Sequence, residues 1–355
     1  MMDLREAIDA RHAIRAYTDE PVDPDALDTL QADIEAWNAE SGLHMQMAVG
    51  LDDAFLGLKT HYGRFKGVHN AIALIGSAAS VEREMRVERL RARRRAAEQD
   101  AAGPAGTTGD TSGDATGDTS GDATTVEEPN RASTLQALKA TDASGEAVSP
   151  VDAALQEKVG YYGERLVLRA VQLGLATSWA VLDDADTAAD PWWELEDGES
   201  VVWVIAFGHG ARPGGRRRSK PMAELASVEG PCAVSDESAE VGNAQATASD
   251  ATGHEGEGNS GGDGGNNGGD ASEAEGAATT AATTANWPDW FVRGMEAAMA
   301  APTSLSQQPF HFTLNEDGSV TAEALRGLFS HVGLGCAKCH FEIGAAPHAV
   351  TWRAA

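Results

Sequence analysis

The stretch 160–179, GYYGERLVLRAVQLGLATSW, restricts the possible folds more than any other part of the chain. Leu166, Val167, Ala170, Val171 and Gly174 recur at helical spacing, and Leu168, Leu173 and Leu175 spread apolar surface over the other faces. A helix that is apolar nearly all round has to be buried, with other elements covering it on several sides. Gly174 ends the helix, because glycine takes the left-handed cap conformation without strain. The apolar run LATSWAVL that follows leads the chain directly into the core.

The other segments are arranged around this one. Residues 4–10 read as a short helix entering RHAIRAY at 11–17. A second helix follows through Leu27, Leu30, Ile34 and Trp37, with Asp23 or Asp25 as its cap and Pro24 in its first turn. Residues 44–49 alternate like a strand, 71–75 form a short apolar strand, and VVWVIAF at 201–207 is apolar enough for burial on both faces. DPWW at 190–193 opens a further amphipathic segment. A helix from 287 to 300, a strand at 311–314 with a turn at 315–318, and a last helix at 333–344 complete the pattern. Helices and strands mixed in this way predict an α+β fold, with a central buried helix and a mixed, mainly antiparallel sheet.

The formal charge of −28 is concentrated in two tracts that no packed core can absorb. Residues 98–150 hold 10 acids and 2 bases, and residues 233–286 hold 10 acids and no base. The first contains TGDTSGDATGDTSGDAT, a near-repeat with nothing apolar to bury, and reads as a disordered tether. The remaining 35 acids against 25 bases leave the foldable part acidic as well, which fits a surface adapted to high salt of the haloarchaeal kind, or an ordinary acidic protein with two inserts. The sign of the field disfavours nucleic acid. No window is apolar enough for a membrane span, and the charged residues 1–10 show no export signal. Three cysteines are too few for a disulfide framework, so a reducing, cytoplasmic setting is expected. Residues 81–95, VEREMRVERLRARRR, read as a basic helix that either pairs with the acidic tract or is solvated.

Four places carry candidate chemistry. Arg11 and Arg15, four apart before the turn at 18–21, suit a phosphate or a solvated surface. The cations of RRRSK at 216–220, after the 201–207 strand, offer a second phosphate site or a water-exposed loop. APTSLSQQPF at 301–310 collects hydroxyls and backbone amides and reads as a ligand loop or a connector. The aromatic and basic stretch 55–67 either lines a cofactor mouth or forms a solvated loop. In the last helix, CAKCH at 336–340 matches a haem-attachment signature and could contribute to zinc, but positions 336, 339, 340 and 343 share a helical face, as buried thiols would.

Together these pieces resemble the flavin-dependent nitroreductase family. RHAIRAY is similar to its opening Arg-x-Ser-x-Arg motif, and YGRFKGVHNAIALIG at 62–76 to its first core strand and approach. GYYGERLVLRAVQLGLATSWA resembles its dimer-core helix and the flavin-side Gly-Leu-Gly-Thr-x-Trp turn, and APTSLSQQPF its Ala-Pro-Ser-x-x-Asn-x-Gln-Pro-Trp loop. Ala13, Ser306, Phe310 and Ala180 stand where that family has Ser, Asn, Trp and Gly. The chain carries one Arg motif near its start and one Ala-Pro-Ser loop near its end. The resemblance therefore implies a monomeric single-chain pseudo-dimer with an internal pseudo-twofold, and with FMN in an internal cleft.

It further implies that Arg11, His12 and Arg15, with Arg216 or Arg218, hold the flavin phosphate and ribityl chain. Pro302, Thr303, Ser304 and Ser306 would form the opposite wall, and Trp179, Ala180 and Val181 would lie beside the reactive edge of the ring. NADH or NADPH would donate hydride and a small oxidised acceptor, a nitroaromatic or quinone, would receive electrons, with no side-chain acid or base required. The chain then divides into 1–79, the first part of the domain; 80–150, the basic helix and first insert; 151–232, the central helix and core strand; 233–286, the second insert; and 287–355, a part that mimics a partner subunit. Other readings are a flavin-binding protein without turnover, and a redox or metal protein built on CAKCH.

Overall fold

The structure, a computed structural model, describes residues 2–61, 63–101, 148–215, 217–229 and 286–353. The acidic tracts, Arg216 and Cys232 lie largely or wholly outside the described residues.

The central helix α4, Pro150–Gln172, begins ten residues before the apolar stretch that reveals it. Ser149 caps it, accepting from the backbone N–H of Asp152, and Pro150 opens its first turn. At the other end Leu173 is the cap, and Gly174 takes φ +80°. Leu175 N–H bonds the carbonyl of Ala170 at 2.9 Å and Gly174 N–H that of Val171 at 2.9 Å, the paired bonds of a Schellman turn. β3, Ala176–Ala180, starts at once.

Before α4 come α1, Leu4–Ala10; α2, Pro24–Ser41; β1, Gln46–Ala48; β2, Asn70–Ser77; and α3, Ala78–Ala101. Asp23 caps α2, with Pro24 at its first position. β4, Glu199–Gly208, is buried along its whole length, as its unbroken apolar run requires. These strands form one antiparallel sheet in the order β1-β2-β4-β3, with Ile72 opposite Ile205 and Trp179 also opposite Ile205 from the other side.

A second sheet, in the order β5-β6-β7-β8, belongs to the later chain: β5, Ala226–Val228; β6, Phe310–Leu314; β7, Val320–Ala324; and β8, Trp352–Arg353. Its central pair is antiparallel and its outer pairs are parallel. The fold is α+β, and the mainly antiparallel strands make two sheets where the sequence predicts one. The short α5, Met222–Leu225, precedes β5, while α6, Asp289–Ala298, and α7, Ser330–Ala345, cover the second sheet.

α4 packs against both β2 and β4 of the first sheet and against α7 of the second half, so it joins the two cores. The helix crossing is close: a Cβ at Gly160 would stand 2.1 Å from the carbonyl oxygen of Val332, so only glycine fits there. The segment 190–193 forms no regular element. Asp190 takes φ +55° ahead of Pro191, which cannot continue a helix built on that residue. Trp193 is buried all the same, edge to face with Trp192, whose indole N–H reaches the carbonyl of Ala54 at 3.0 Å. Among the described residues, no helix is long and apolar enough to cross a membrane.

Candidate functional site

A cavity of about 410 Å³ lies where the segment 11–15, strands β3 and β4, the basic segment 215–218, the loop 299–308 and helix α7 meet, within the size range of small-ligand pockets. Its first wall is the segment 11–17. Arg11 caps α1 in an extended conformation, and the chain then runs beside β3, with Ala13 bridged to Thr177 and Ile14 N–H bonding the Thr177 carbonyl at 2.9 Å. Arg11, Ala13 and Arg15 line the cavity from alternate positions of this extended segment, and His12 lines it as well. The spacing of four is thus a strand repeat, not one face of a helix.

Arg11 is 6% exposed; its Nη2 donates to the carbonyl of Ala300 at 3.3 Å, and its Nε stands 3.5 Å from Glu164 Oε1. Arg217 and Arg218 come in from the later basic segment, and Arg217 Nη2 donates to the carbonyl of Asp9. Burial, together with the guanidinium groups of Arg217 and Arg11, pushes the His12 imidazole below its usual value. Burial and Arg11 act in the same direction on Arg217. Four guanidinium groups therefore meet at one cavity without enough carboxylate to balance them, and an anion would relieve their repulsion.

The opposite wall is the loop 299–308, which comes from nearly the other end of the chain. Pro302, Thr303, Ser304, Leu305 and Ser306 all line the cavity. Leu305, Ser306 and Gln308 have φ of +52°, +55° and +45°, three left-handed non-glycine residues within four positions. Gln308, almost fully buried, holds this conformation from behind. Its Nε2 donates to Ser219 Oγ and to the Met299 carbonyl, each at 2.9 Å, its Oε1 accepts from Lys220 N–H at 2.7 Å, and its own N–H donates to Thr303 Oγ1 at 3.0 Å.

An aromatic and small-residue surface connects the two walls. Trp179 and Trp203 meet edge to face at 5.8 Å, and Trp203 and Phe329 at 4.9 Å. Thr177 and Ser178 of β3 and Cys336 of α7 also line the cavity. Ser178 Oγ and Trp203 Nε1 are buried with no hydrogen-bond partner, and Arg11 Nε has only its ion pair. Three buried donors on one cavity are the arrangement a bound acceptor-rich ligand would satisfy.

Of the residues singled out in the sequence, Arg11, His12, Arg15, Trp179, Arg218, Pro302, Thr303, Ser304 and Ser306 line this cavity. Ala180 and Val181 do not. Beyond Trp179 the chain enters the apolar core, where both are buried, at 1% and 5% exposure. Phe310 is likewise a core residue of the second sheet. Lys59, His61, Arg64 and Lys66 are exposed and lie away from the cavity, as a solvated loop would. Arg217 belongs to the basic cluster 216–220, although the family resemblance singled out its neighbours Arg216 and Arg218; sequence reading missed Trp203, because β4 reads as uniform core.

The CAKCH motif is built into the core. Cys336 and Cys339 are buried, and burial raises both thiols well above their usual range. His340 is fully buried, with Nδ1 3.0 Å from the carbonyl of Ala297 and Nε2 2.9 Å from Glu164 Oε1, which leaves neither nitrogen for haem iron. Among the described residues, no cluster of His, Cys, Asp or Glu is arranged to hold a metal.

The model of the family described as "Putative TM nitroreductase" matches residues 3–86, 124–246 and 268–345, which is most of the chain. The chain belongs to this nitroreductase family. Among solved structures, the nitroreductase-family chain is similar to a "putative nitroreductase" from Thermotoga maritima, at 13% identity over 97% of this chain and 83% of that one, with a TM-score of 0.39. It is also similar to a nitroreductase family protein from Streptococcus pneumoniae, at 18% identity over 63% and 98% of the two chains and a TM-score of 0.38. A third, a "putative nitroreductase" from Desulfovibrio desulfuricans in complex with FMN, is 19% identical over 62% and 93%, with a TM-score of 0.34. No curated protein matches the chain. The family assignment rests on the sequence match alone.

Proposed function

We propose that the cavity binds FMN and that this nitroreductase-family chain is an FMN-dependent oxidoreductase, taking electrons from NADH or NADPH and passing them to a small oxidised acceptor such as a nitroaromatic or quinone. The observation that carries this reading is the composition of this cavity: a cationic end, an aromatic flank and three buried donors without a hydrogen-bond partner, all in about 410 Å³. The residues present fit the cofactor. Arg11, Arg15, Arg217 and Arg218, with His12, would hold the phosphate; His12 would gain a proton as the anion arrives, because the cations that depress it are then neutralised. Ser178 and Trp203 would satisfy polar edges of the ring system or its side chain, and Trp179 would flank it. Thr303, Ser304 and Ser306 would close the far side.

FMN supplies the hydride and electron chemistry when bound. The protein contributes binding, orientation and a fixed electrostatic environment, and no side chain serves as acid or base. Leu305, 67% exposed at the rim, gives the incoming acceptor an apolar contact. One chain supplies both walls, which supports the reading of a monomeric single-chain pseudo-dimer. The absorbance spectrum tests the proposal: the purified protein should be yellow, with flavin bands bleached by NADH or NADPH and restored by the acceptor. Yellow colour that neither nucleotide bleaches would assign flavin storage or sensing instead, and a protein that takes up no flavin would overturn the reading.

A further inference from the structure

Glu164 is the most deeply buried carboxylate associated with the cavity, at 0% exposure in the middle of the apolar helix α4. Such a group is costly to bury without hydrogen bonds or a counter-charge, and Glu164 has two hydrogen-bonding partners and one ion pair. His340 Nε2 lies 2.9 Å from its Oε1, Arg11 Nε stands 3.5 Å from the same oxygen, and Trp179 Nε1 donates to Oε2 at 3.1 Å. Two of these partners, Arg11 and Trp179, line the cavity, whereas His340 belongs to α7 behind it. His340 Nδ1 faces the carbonyl of Ala297 at 3.0 Å and can only donate there. Glu164 and His340 therefore share one proton across the remaining contact.

We infer that Glu164 and His340 are positioning residues that act through Arg11 and Trp179: the carboxylate fixes the guanidinium and the indole at the cavity wall, and the shared proton sets the electrostatic level felt by a ligand that becomes more negative on reduction. This rests on the flavin reading above. With one proton between them the pair is neutral, so removing the carboxylate changes no net charge; it removes a dipole whose negative end faces Arg11 and the cavity, which favours the reduced, more negative ligand modestly. Removing the imidazole takes away the shared proton and leaves the carboxylate charge opposed only by Arg11, which disfavours it. A group that merely fills space would not shift the equilibrium in opposite directions at its two ends.

The experiment compares the full-length protein with Glu164→Gln and His340→Gln. Both substitutions retain a hydrogen-bonding amide in place of the lost group, and thermal unfolding verifies the fold. Each protein is loaded with FMN and its midpoint potential is measured spectroelectrochemically. His340→Gln, which leaves the carboxylate charged, is expected to lower the ratio of reduced to oxidised affinity about tenfold, a shift of about −30 mV for a two-electron couple. Glu164→Gln, which changes no net charge, is expected to raise it by a smaller factor, about threefold. Should one variant fail to fold, the sign of the other's shift decides. FMN uptake with unmoved potentials, or shifts of the same sign in both variants, overturns the inference and leaves the flavin reading intact. A wild-type protein that takes up no FMN overturns both.

Discussion

The two walls of the cavity are built on opposite principles. The segment 11–17 is ordinary extended chain, tied by its backbone to β3 and to residues 66 and 210, and what it brings is charge. The loop 301–308 brings no charge; what it brings is shape, held in three left-handed residues that an unconstrained chain would avoid, at a cost of about 1–2 kcal/mol each. The first wall can be read from residue type. The second depends on the Gln308 clamp, which exists only in three dimensions. One wall should therefore govern whether an anionic cofactor binds, and the other how it is used.

Substitutions separate the two contributions. Replacing Arg11 and Arg15 together by Ala removes two charge-assisted contacts, and FMN affinity measured by fluorescence quenching should fall at least about 100-fold. Unchanged affinity would mean that the cationic wall does not bind the phosphate. Gln308→Ala breaks the clamp, so stability should drop by about 2 kcal/mol in urea unfolding, with a smaller loss of FMN affinity than the arginine pair shows. Leu305→Gly relieves a left-handed leucine. It should raise stability by about 0.5 kcal/mol once the extra chain freedom of glycine is counted. The same change should raise KM for an aromatic acceptor by about threefold, as expected from losing one apolar contact, while FMN affinity holds. An unaltered KM would remove Leu305 from the acceptor contact.

The smallest expected effect concerns protons. His12 is held below its usual value by burial and by Arg217 and Arg11, so at neutral pH it is mostly uncharged. Phosphate binding offsets those cations and raises it, so FMN binding should take up a fraction of a proton and tighten as pH falls toward the bound-state value. Calorimetry at pH 7 in two buffers of different ionisation enthalpy reads this uptake, which His12→Asn should abolish.

Much of the architecture was legible because it rests on local patterns. The apolar helix at 160–174 and its glycine cap, the strand at 201–207, and the Asp23–Pro24 helix start all follow from short-range chemistry, and the structure contains each of them. The two walls were legible as motifs on separate segments. Glu164 was not, since one acid within an apolar helix gives no sign of whether it faces water or a buried histidine 176 residues away. Ala180 and Val181 were misplaced relative to the cavity because β3 turns from site to core within one residue, and the sequence alone does not say where. The tryptophans at 192 and 193 read as the start of an amphipathic segment, and of the two only Trp193 is buried, in a loop. In each case a long-range contact overrode the local pattern.

Titration of the flavin-free protein with FMN, monitored by fluorescence while light scattering reports its mass, is decisive for the idea that the two ends of one chain close a single cofactor slot. Saturation at one FMN per chain by a particle of monomer mass is the expected result. Saturation that requires a dimer, or an absence of saturable binding, would contradict it.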